Sequence, residues 1–175
     1  MTTNNKTTKS KFKRIVLHWT GGGYKPNAID LSHYHFLIDQ FGIVHKGKFE
    51  PEDNLNCLDN KYAPHCGGGN TGAIGIALCG NAGFTLTTKQ SPYPLTHEQF
   101  EACWKLCAEL CHQYKLKPSD VITHAYFGLT NPGTSSAGKI DIIYIPYNNL
   151  YGIEKVNKLC QDKVRWYYEK MAKTQ

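Results

Sequence analysis

Arg14-Ile15-Val16-Leu17-His18-Trp19-Thr20, followed at once by Gly21-Gly22-Gly23, is the stretch on which the fold turns. A short apolar run closed by a glycine breaker reads as a buried strand, and it delivers His18 at the strand's end, where the chain opens into a loop. Val121-Ile122-Thr123-His124, entered after Lys117-Pro118-Ser119-Asp120, repeats the geometry of a rigid strand with an imidazole at its tip. Further strands are predicted over 34–39, 43–48 and 73–79. A helix is predicted over 96–114, opened by a Thr96/Gln99 capping box. A final helix is marked by Ile153, Val156, Cys160, Val164, Tyr167 and Met171 on one stripe, with Lys155, Lys163 and Glu169 outside it. Strands interleaved with amphipathic helices predict an α/β fold, a single domain with a central mixed β-sheet and helices packed on it, and the strand tips are where a site would lie.

With 175 residues at 41% apolar, the chain can bury one substantial core, and no Pro- or Ser-rich stretch divides it. The expected organisation is a flexible basic tail over 1–11 and a single domain over 12–175. The first eleven residues lack an apolar core segment and so read as neither secretory signal nor membrane anchor. No apolar run approaches the roughly 20 residues of a membrane helix. The expectation is therefore synthesis in the cytoplasm without a signal peptide and no membrane insertion. A net charge of +6 suits an anionic polymer. Nucleic acid is disfavoured, because neither a helix-turn-helix nor a stacked-aromatic single-strand motif is present.

His18, His124 and Asp141 are two imidazoles and a carboxylate, the borderline-soft set that suits one Zn2+ with a position left for water. Alternation in an extended Gly138-Lys139-Ile140-Asp141 would point Lys139 and Asp141 the same way. Spacing alone does not establish a metal site, since an isolated histidine is more often a satisfied core or surface residue, and H-E-x-x-H is absent. His33 and His35 flank Tyr34 and are read as structural; His45, His97 and His112 are left unassigned. Gly67-Gly68-Gly69-Asn70 lacks the trailing Lys-Ser/Thr of a phosphate loop and reads as a loop passing close to substrate. Seven cysteines leave at least one thiol free. Cys103, Cys107 and Cys111 share one helical face and read as small core hydrophobes rather than a second metal site. Cys57 and Cys66 flank a loop and could pair in an oxidising space, while Cys66 or Cys79 as a Cys-His nucleophile is the remaining chemical alternative.

Taken in order, Val16-Leu17-His18-Trp19-Thr20, Tyr34-His35-Phe36-Leu37-Ile38-Asp39 with Gly42, His65 to Asn70 leading into Ile74-Gly75-Ile76-Ala77-Leu78-Cys79-Gly80-Asn81, the helix from Thr96 to Tyr114, His124, and Lys139-x-Asp141 resemble the zinc-dependent N-acetylmuramoyl-L-alanine amidases that share a fold with peptidoglycan recognition proteins. The resemblance implies His18, His124 and Asp141 as zinc ligands and Tyr34 and Lys139 as catalytic helpers. It also implies His65, with Thr20 and Asn70, on the substrate-facing side. Ala77 stands where some recycling amidases carry a general-base Glu, so the chain looks more like the phage lysozymes that are amidases and use a Tyr and a Lys. Ile142-Ile143 replaces the usual Pro-Gly after the Asp, and the loop from His124 to Asp141 is long. What the resemblance implies is hydrolysis of the lactyl–L-alanine amide of peptidoglycan by a monomeric endolysin that reaches the wall through a permeabilised membrane, with a second protein partner as an added role. The alternatives are a non-catalytic peptidoglycan-binding module, a cytosolic muropeptide-recycling amidase, or an injected antibacterial effector.

Overall fold

In the computed structural model, which describes residues 10–174, β1 (Arg14–Trp19) is an inner strand of a five-stranded sheet. β4 (Ala73–Leu78) and β5 (Val121–Thr123) pair with it in parallel on either side. β2 (Phe36–Ile38) runs parallel to β4, and β3 (Val44–Lys46) closes the edge antiparallel to β2, giving the order β3-β2-β4-β1-β5. The sheet is mixed, as expected, because the short Asp39–Ile43 turn permits a hairpin while every parallel pair needs a longer crossover.

Alternation along β1 divides the molecule. Ile15, Leu17 and Trp19 join Ile74, Ile76 and Leu78 in the larger core, which is covered by α2 (His97–Tyr114) and α4 (Ile153–Ala172). Phe100, Cys103, Trp104, Cys107 and Cys111 of α2 and Val156, Cys160 and Val164 of α4 are buried there, so the cysteines are packing residues as their spacing suggested. Val16 faces the other way, with Cys66, Ala73 and Phe127.

The Thr96/Gln99 capping box forms as read from the sequence, and Gln99 does more than cap. Its buried amide donates to the carbonyls of Ile38 (2.9 Å) and Cys79 (2.8 Å), which lie at the C-terminal ends of β2 and β4. A buried amide satisfied in this way fixes where α2 sits relative to the strand tips.

Three local expectations are corrected. The strand predicted over 34–39 is shorter, because Ala28–His33 forms α1, capped by Asn27, and Tyr34 is its C-cap. An Asn and an Asp three residues apart satisfy the first-turn amides reciprocally, and this local bonding overrides the strand pattern. His124 does not end a strand. It is the first residue of α3 (His124–Thr130), whose N-cap is Thr123. Gly138 to Asp141 is not a strand either; the chain turns there, and a small ribbon of β6 (Tyr144–Ile145) and β7 (Leu150–Tyr151) follows. The tail expected over 1–11 lies mostly outside the described residues. Ser10, which is described, donates its hydroxyl hydrogen bond to the Tyr114 carbonyl, so the packed body begins before residue 12. Among the described residues no helix is long and apolar enough to cross a membrane.

Candidate metal centre

His18 is the fifth residue of β1 and points from the sheet face opposite α2 and α4, where it is fully buried. His124 reaches the same point from the N-terminus of α3, at 4% exposure. Asp141 arrives on the long loop, and its backbone carbonyl accepts from Ala125 N at 3.2 Å, which ties the loop to the first turn of α3. The chain then reverses at Ile142, whose φ of 59° is the left-handed conformation that costs a β-branched residue about 1–2 kcal/mol. Complete burial of the Ile142 side chain in the larger core holds it there.

The three side chains converge atom to atom. His18 Nδ1 lies 3.1 Å from His124 Nδ1 and 3.3 Å from Asp141 Oδ2, and His124 Nδ1 lies 3.3 Å from the same oxygen. Zinc bonds of about 2.0–2.2 Å in tetrahedral array separate neighbouring ligand atoms by about 3.3 Å, so these atoms match one face of such a tetrahedron. Among the described residues this is the one group of ligand-type side chains so arranged. The donor set fits a tetrahedral ion with one position left for a non-protein ligand.

Burial pushes the His18 imidazole down to about 4, so it is neutral at physiological pH, the state a metal requires of such a ligand.

Tyr34 reaches the site from the end of α1, its ring centroid 5.1 Å from that of His18. Burial, then the Asp141 charge, raises its hydroxyl above the ordinary tyrosine range, so it is a neutral hydrogen-bond donor. Lys139 is exposed, and its ammonium is near enough to His18 to disfavour an imidazolium there. Ala77 is paired with His18 across the β1–β4 ladder, so β4 supplies no carboxylate at that register.

His65, expected on the substrate-facing wall, is instead buried behind His18. Its Nδ1 lies 3.0 Å from His18 Nε2, and its exposure is 6%. The ring occupies space that only Gly75 leaves free on β4: a Cβ at position 75 would stand 2.5 Å from His65 Cγ. Thr20 and Asn70 bind backbone. Thr20 Oγ1 accepts from the amides of Gly22 and Gly80, and Asn70 Oδ1 accepts from those of His65 and Cys66, so both clasp loops beside the site. His35 is structural, as read: its Nδ1 accepts from Gly75 N and its Nε2 donates to Asn54 Oδ1. Ser136, which no sequence signal marked, is fully buried beneath His124, its hydroxyl 2.9 Å from His124 Nε2. Cys57 and Cys66 are free thiols. Burial raises Cys66 to about 11 and Cys79 to about 12, which leaves neither as the thiolate a cysteine nucleophile needs.

A mixed sheet with helices packed on it and this cluster at its strand tips has the fold of the amidases and peptidoglycan recognition proteins. Residues 8–139 match the N-acetylmuramoyl-L-alanine amidase family, and the chain belongs to it. Asp141 lies two residues beyond the matched segment. Among solved structures, AmpDH3 from Pseudomonas aeruginosa is 16% identical at a TM-score of 0.53, over 81% of this chain and 60% of that one. Bumblebee peptidoglycan recognition protein SA is 15% identical at 0.52, over 87% and 81%. The amidase AmiD from E. coli, solved with anhydro-N-acetylmuramic acid-L-Ala-D-γ-Glu-L-Lys, is 20% identical at 0.48, over 69% of this chain and 51% of that chain, so this protein spans about half of AmiD. No curated protein sequence matches this chain.

Proposed function

We propose that this protein binds one zinc ion through His18 Nδ1, His124 Nδ1 and Asp141 Oδ2 and hydrolyses the amide between the lactyl group of N-acetylmuramic acid and L-alanine in peptidoglycan. The observation that carries the reading is the near-equilateral triangle of ligand atoms, 3.1–3.3 Å on each edge, in a chain of the amidase family. Zinc, when bound, supplies a Lewis acid that acidifies water and polarises a carbonyl. The Lys139 ammonium, exposed at the rim, stabilises negative charge developing on the scissile oxygen. The neutral Tyr34 hydroxyl donates a hydrogen bond into the same space and helps orient the reacting groups. Thr20 and Asn70 act on substrate through the loops they clasp rather than through their own oxygens.

In biological role the protein is a phage-type endolysin. Its support is the Tyr and Lys at the site with Ala77 in place of a carboxylate, together with a charge of +6 that draws the protein to the anionic wall. The test incubates the full chain with purified peptidoglycan, with chelator and then with zinc restored, and measures new N-terminal alanine against new reducing sugar. Alanine termini that vanish with chelator and return with zinc are expected. Reducing ends would make it a glycosidase, and binding to the wall with neither product would make it a recognition module.

A further inference from the structure

Only one nitrogen of each imidazole faces the proposed metal; the other fixes which nitrogen is free to do so. His65 Nε2 is 3.3 Å from the Ala73 carbonyl oxygen, which can only accept, so Nε2 carries the proton and Nδ1 of His65 is a bare lone pair. That lone pair is 3.0 Å from His18 Nε2, which must therefore donate, leaving His18 Nδ1 without a proton. On the other side, Ser136 Oγ donates its single proton to the Gly67 carbonyl at 2.7 Å. It can then only accept from His124 Nε2 at 2.9 Å, which leaves His124 Nδ1 bare as well. Two separate chains, each ending on a backbone carbonyl, dictate the same tautomer for both ligands.

We propose that Ser136 and His65 are positioning residues that lock His124 and His18 as Nε2–H tautomers, so that the cation site is formed before the cation arrives. The proposal rests on the metal reading above. In the locked state two nitrogen lone pairs and a carboxylate oxygen crowd within 3.1–3.3 Å with no proton of their own between them, an arrangement that a cation relieves. The alternative tautomer would turn an N–H toward the metal and strand a buried carbonyl. Both locks are built into the packing. Ser136 is fully buried, and a side chain on Gly128 would strike its carbonyl; His65 sits on the bare backbone of Gly75.

The test is zinc affinity, read by competition with a chromogenic chelator, for the full chain and for S136A, H65L and H65N. Loss of about 10- to 100-fold is expected for S136A and H65L. H65N, whose Oδ1 can replace the Nδ1 acceptor, should recover most of it. S136A and H65L within twofold of wild type would overturn the proposal, whereas a wild-type chain that binds no zinc overturns the metal reading itself. Should the variants not fold, nitrogen–proton correlation spectra of the metal-free wild-type protein at about pH 8, above the ordinary histidine range of about 6.5, still decide. Protons on Nε2 of both His18 and His124 are expected, and an Nδ1–H tautomer in either refutes the lock.

Discussion

Replacing Gly75 by alanine should damage a metal site that it does not touch. An ideal Cβ at this position stands 2.5, 2.7 and 2.8 Å from Cγ, Cδ2 and Nδ1 of His65, where ordinary contact begins at 3.4 Å. The ring must retreat by about 0.9 Å, a shift large enough to spoil the geometry of its 3.0 Å hydrogen bond with His18 Nε2. Overpacking of this kind costs about 1–3 kcal/mol. At about 2–4 °C per kcal/mol for a chain of this size, the thermal midpoint should fall by about 2–12 °C in excess chelator. Zinc affinity should fall about tenfold or more as His18 loses its support. A double-mutant cycle assigns the cause: in an H65A background the clash is gone, and G75A should cost little further. If G75A lowers the midpoint as much with His65 removed as with it present, or leaves zinc affinity intact, the ring-on-glycine reasoning is wrong.

Zinc at 100 times its Kd should stabilise the wild-type chain by about 2.7 kcal/mol, a rise of about 5–11 °C in the midpoint, and D141A should abolish the rise; scanning calorimetry with and without chelator reads both. Y34F and K139A should each slow release of N-terminal alanine by about 100- to 1000-fold while leaving zinc affinity near wild type, and a K139A enzyme of full activity would remove Lys139 from the mechanism. Acid should weaken the fold through His35, whose imidazole burial pushes down to about 4. The unfolded chain binds a proton below about pH 6.5 that the folded chain refuses until about 4, so stability falls with pH across that window. Urea titrations at a series of pH values should show a shallower fall for H35Q, and an unchanged slope would exclude His35 as the source.

The elements legible along the chain were those whose signals are local. The apolar run ending at His18, the Thr96/Gln99 capping box and the stripe along the last helix each encode their own conformation, because backbone bonding and burial on one face need only neighbouring residues. The order of the motifs from Val16-Leu17-His18-Trp19-Thr20 to Lys139-x-Asp141 was enough to imply the family, and with it His18, His124 and Asp141 as ligands. Tertiary structure alone decided the rest. Asp141 meets His124 because its backbone carbonyl bonds Ala125 N and the chain reverses at a buried, left-handed Ile142, neither of which has a pattern in sequence. His65 lies behind its expected wall because Gly75, ten residues away, leaves a hole on the opposing strand, and Ser136 supports His124 from a loop with no periodicity at all. Such contacts depend on which distant segments share one buried volume, a property of the packed chain rather than of any window along it.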